Sequence, residues 1–103
     1  MVKILHLTLF RKWFIEILKG KKKIEYRIVK PYWTKRLLDS DGIPKKYEYI
    51  IFKNGYSKNA PEMKVEFLGI RKNKEYESLL GKVLRKQNLQ KLDYVQSPSL
   101  QNI

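Results

Sequence analysis

The chain has 103 residues, of which 23 are Lys or Arg and 10 are Asp or Glu, giving a formal charge of +13 at pH 7. That length fits one domain with a single core and leaves no room for a second. With no cysteine and one histidine, His6, disulfides, thiolate chemistry and the common four-ligand zinc sites are excluded, and neither metal nor cofactor is expected.

No apolar run approaches the roughly 18 residues of a membrane span, and the first apolar segment is too short and too charged for a secretory signal. Cytoplasmic location is therefore the expectation. So large a positive charge on a small domain opposes compactness unless a polyanion uses it. Nucleic acid is expected ahead of an anionic membrane, which would require a long cationic amphipathic helix.

In chain order, KILHLTL at residues 3–9 sets Ile4, His6 and Thr8 against Leu5, Leu7 and Leu9, a strand pattern. RKWFIEILKG repeats Trp13/Phe14 and Ile17/Leu18 four residues apart, which predicts a short amphipathic helix ended by Gly20, with those four residues packed inward. The period then changes to two: Ile24, Tyr26 and Ile28 lie on one side of a strand, and Lys23, Glu25 and Arg27 form a charged ladder on the other.

Pro31 opens a brief helical turn, PYWTKRLL, which stops at the turn-rich DSDG. KYEYIIFKNG is the clearest strand, stopped by Asn54-Gly55, and the loop NGYSKNAP follows. EMKVEFLGI alternates Met63, Val65 and Phe67 against Lys64, Glu66 and Leu68. YESLLGKVL reads as a weaker last strand with a bulge at Gly81. The domain is expected to span residues 1–86. Residues 87–103 read as a poorly ordered tail, in which Leu89, Leu92 and Tyr94 are placed to dock as one more helical turn. Five short strands with one or two short helices predict an α+β fold, a small mixed barrel, because a curled sheet of this size closes to bury one face.

Charge is clustered. Between Lys19 and Arg36 eight basic residues stand against Glu25 alone, so more than half of the net excess sits in this stretch. Here the order of motifs resembles the ASCH domain family of the PUA-like superfamily, whose signature is close to G-x-K-x-x-E-x-R. Gly20, Lys22, Glu25 and Arg27 match it in order and spacing. KPYWTKRL and YIIFKNGYSKNAP look like the small bacterial and phage members, and the likeness covers residues 3–84.

What the resemblance implies is a PUA-like barrel whose cleft, lined by the signature residues, binds RNA or a nucleotide. Some members resemble acetylated-cytidine amidohydrolases or ribonucleases. If that chemistry applied, Lys22 and Glu25 would be the catalytic groups, although Glu25 stands where those members carry Thr.

The residues themselves give the candidate site further members. Glu25 and Arg27, two apart on one strand face, have their side-chain roots roughly 7 Å apart, so they share a ligand or pair with each other at the surface. Arg27 offers a planar fork to phosphate or a base edge, and Glu25 accepts from an exocyclic amine. Lys21, Lys22, Lys23, Lys30, Lys35 and Arg36 supply cations around Trp33, a candidate stacking ring. In the second loop Asn54, Tyr56, Lys58 and Asn59 surround Gly55, either as a binding loop or as a tight turn. RNA or nucleotide binding is the leading expectation. Hydrolysis of a modified nucleoside or of RNA, and a protein-interaction module of phage or bacterial type, are the alternatives.

Overall fold

The computed structural model describes residues 3–92. Its elements run β1 (Ile4–Thr8), α1 (Arg11–Leu18), β2 (Ile24–Ile28), α2 (Pro31–Leu37), β3 (Tyr49–Lys53), β4 (Glu62–Lys72) and β5 (Glu75–Gln87), with a 3-10 turn at Leu89–Lys91. The strands form one sheet in the order β1-β3-β4-β5-β2, with β1 parallel to β3 and every other pairing antiparallel. The sheet curls into a half-barrel whose ends, β1 and β2, approach without pairing. Across that seam Arg27 donates from Nη2 to the Thr8 carbonyl at 3.3 Å. A small α+β mixed barrel is thus what the alternating segments build.

The concave side holds the core. Leu5, Leu7 and Leu9 enter from β1 and its exit, Ile50 and Phe52 from β3, Met63 and Val65 from β4, and Tyr76 and Leu80 from β5. Phe14 and Ile17 of α1 and Leu37 of α2 close it. Burial of each such large side chain contributes about 1.5–3 kcal/mol.

Helix α1 ends in a Schellman motif. Gly20, at φ +77°, lets its N–H reach the Ile17 carbonyl at 2.9 Å, while the Lys21 N–H reaches the Glu16 carbonyl at 2.9 Å. This turn sends the chain back along the helix into β2 and sets Lys22 beside α1. Of the four residues expected inward on α1, Phe14 and Ile17 are buried and Leu18 packs against the core, but Trp13 is 41% exposed. At about 100° per residue, Trp13 lies one step round from Phe14, on the flank that faces the open seam.

In β2 it is Glu25 and Arg27 of the charged ladder that turn inward, while Lys23, ahead of the strand, stays exposed. Glu25 is 6% exposed, whereas Tyr26 and Ile28 are 43% and 52% exposed. The register explains this: Glu25 pairs with Ser78 and Arg27 with Tyr76, both of them buried residues of β5's concave face. Paired residues of neighbouring strands share a face, so β2 takes the orientation that β5 dictates.

The last strand, expected to be weak and short, runs for 13 residues and forms a long hairpin with β4. Its register shifts in steps between Lys64 and Gly69, a stretch that lies opposite Gly81, in keeping with the expected bulge. A Cβ at Gly81 would collide with the Glu66 carboxylate, which accepts from the Lys82 N–H at 3.2 Å. The core also extends past residue 86, because the 3-10 turn delivers Leu92, fully buried, against it. Docking of Tyr94 and the expected disorder of residues 93–103 fall outside the described residues. No helix among residues 3–92 is long and apolar enough to cross a membrane.

Candidate functional site

The unclosed seam is a cleft of about 590 Å³. One wall is the exit of β1, Thr8 to Phe10, with Trp13 above it; the other is Glu25, Tyr26 and Arg27 of β2. The loop after β3 forms the rim, where Gly55 at φ +104° makes the tight turn and Tyr56 stands 92% exposed. Asn54 fixes that loop, donating from Nδ2 to the Leu9 carbonyl and from its backbone N–H to the Pro61 carbonyl, each at 3.0 Å.

Glu25 and Arg27 meet on one strand face and pair, with Nη2 3.0 Å from Oε2. Lys22 approaches the other carboxylate oxygen at 3.6 Å. The Arg27 guanidinium lies 4.7 Å from the Trp33 ring centroid, and its Nε is buried without a partner. This is a buried, braced pair, in place of the solvated surface pair that two-residue spacing also allowed. Burial pushes the Glu25 carboxyl above the usual carboxylate range, and the charges of Arg27 and Lys22 pull against that rise. The net direction is upward, so desolvation outweighs two adjacent cations.

Aromatic rings bracket Lys22. The Lys22 ammonium sits 5.2 Å from the Trp13 ring and 4.9 Å from the Tyr26 ring, so the two rings flank the cation that touches Glu25. A carboxylate in a cleft that half-exposed rings also line suits a flat ligand with N–H donors on one edge.

The expected residues divide accordingly. Glu25, Arg27, Asn54 and Tyr56 line the cleft, and Lys22 reaches it through Glu25. Trp33 supports Arg27 from α2, partly buried. Lys21 and Lys23 are exposed beside the α1–β2 turn and do not line the cleft. Neither do Lys30, the N-cap of α2, nor Lys35 and Arg36 within that helix: Arg36 stacks over Tyr32 at 3.6 Å and donates to its carbonyl, and the Lys35 carbonyl accepts from Lys45 Nζ. Lys58 and Asn59 are exposed in the outer part of the loop, away from the cleft lining.

The sequence reading missed Thr8, Leu9, Phe10, Arg11, Trp13 and Tyr26. The signal available for Trp13 was its place at the margin of the helical stripe, one residue ahead of Phe14. Among the described residues no group of three or more His, Asp or Glu is placed to hold a metal ion. Comparison with models of known families, with curated proteins and with solved structures returns no match.

Proposed function

We propose that this chain is a nucleic-acid-binding module of the ASCH and PUA-like type, and that its cleft receives a single unpaired nucleotide of RNA. The observation that carries the reading is the braced Glu25 carboxylate in a cleft that exposed aromatic rings also line, in a domain of charge +13. A buried ion pair is weak support for stability, since apolar residues of similar volume commonly do as well. A perturbed carboxyl facing a cleft is a better indication of a binding site. Stacking on Trp13 or Tyr26 would supply about 1–3 kcal/mol per base. The surrounding lysines would track phosphates without reading sequence.

The test is fluorescence anisotropy of a labelled single-stranded RNA at increasing salt. If about four phosphates are neutralised, log K falls against log salt with a slope of roughly −3. A flat salt response, or no binding at low salt, refutes the proposal. Turnover of acetylated cytidine by the intact protein, lost in Lys22→Ala, would instead move the reading to hydrolysis.

A further inference from the structure

Among the described residues, Glu25 is the only acidic side chain lining the cleft. A carboxylate offers about four lone-pair positions. Arg27 occupies one on Oε2 and Lys22 approaches one on Oε1, which leaves each oxygen able to accept once more. Arg27 spends Nη2 on Glu25 and on the Thr8 carbonyl, and its Nε is buried. Arg27 thus braces the acid, and the floor offers a ligand Lys22, Oε1 and Oε2: donor, acceptor, acceptor.

Resting on the nucleotide-binding reading above, we infer that the cleft selects guanine, whose O6, N1–H and N2–H present on one edge the complementary order of acceptor, donor, donor. Glu25 accepts from N1–H and from the N2 amine, and Lys22 donates to O6. No other standard base offers two adjacent N–H donors on this edge. Uracil has one, flanked by carbonyl oxygens that oppose a carboxylate. Adenine and cytosine each set an amine beside a ring nitrogen whose lone pair would face the second carboxylate oxygen. Trp13 and Tyr26, on either side of Lys22, supply stacking that every base accepts equally, so discrimination falls to Glu25.

The experiment uses labelled hexanucleotides of uridine with a single central guanosine, inosine, adenosine, cytidine or uridine, titrated with the full chain at low salt. Phosphate contacts are then constant across the set. Inosine keeps O6 and N1–H and lacks the N2 amine, so the guanosine oligonucleotide is expected to bind about ten- to a hundredfold tighter than the inosine one. Glu25→Gln, which replaces one acceptor by a donor, is expected to erase that difference while the common salt-dependent affinity persists. A thermal melt of the variant verifies that it is folded. Equal affinity for all five, a preference for another base, or a guanosine preference that survives Glu25→Gln overturns the guanine assignment and leaves RNA binding standing. Absence of binding to every oligonucleotide refutes the RNA reading itself.

Discussion

Removing Arg27 or neutralising Glu25 breaks the same ion pair, yet the two changes are expected to have opposite consequences. In Arg27→Met the Glu25 carboxylate stays buried, with Lys22 at 3.6 Å as its remaining cation. The hydrogen bond to Thr8 and the contact with Trp33 also disappear. Stripping one partner from a buried pair costs about 3–5 kcal/mol. Lys22 and the open cleft reduce that, and the lost hydrogen bond adds about 1 kcal/mol, so a loss of about 2–4 kcal/mol at neutral pH is expected.

Urea titration followed by tryptophan fluorescence measures it, and for a domain of this size the melting temperature should drop by about 15 °C. The loss should shrink on acidification. The folded Glu25 carboxyl holds its proton to higher pH than the unfolded one, so its contribution to stability is full below the ordinary glutamate range and is lost as pH rises through the raised folded value. Without Arg27 the folded value climbs further, and protonation relieves the variant before it affects the parent. Glu25→Gln, neutral and of the same shape, should match or exceed the parent's stability at neutral pH and lose this pH dependence. A loss under about 1 kcal/mol in Arg27→Met, or a loss that does not change with pH, would refute the account of a desolvated, braced carboxylate.

Trp13→Ala should weaken RNA binding by about fivefold, the low end of one lost stack, with little change in the melt because the ring is half exposed. Phe14→Ala, next to it and fully buried, should cost about 3–5 kcal/mol of stability; comparing anisotropy with thermal melts separates the two roles. Gly81→Ala should displace the Glu66 carboxylate from the Lys82 N–H and cost about 1 kcal/mol. Adding Glu66→Ala should then bring little further loss, which a double-mutant cycle in urea would show. Leu92→Ala should cost about 2–5 kcal/mol, and a chain ending at residue 86 should melt well below the parent.

Periodicity alone located β1, α1, β3 and β4, because each has one face committed to the core. Leu5, Leu7 and Leu9 alternate without competition, and Asn54-Gly55 stops β3 where the chain must turn. The pairing of Glu25 with Arg27 was legible as one of two outcomes of their spacing. Composition likewise gave the charge and, through the absence of cysteine, the chemistry that is missing. The cleft residues were less legible, since Trp13 and Tyr26 obey the same periods as core residues and differ from them only in what stands opposite.

Which face of β2 turns inward was decided by the fold. Ile24, Tyr26 and Ile28 alternate as cleanly as Lys23, Glu25 and Arg27, so the local pattern carries no sign. The sign comes from β5, 49 to 53 residues further along the chain, whose buried Tyr76 and Ser78 pair with Arg27 and Glu25 and set them on the concave side. Curling then leaves β1 and β2 close but unpaired, and that gap makes the site. Short-range chemistry thus specified the strands and the charged groups. The orientation of the ladder, the burial of its acid and the opening above it came from long-range pairing, which a one-residue change of register would reverse.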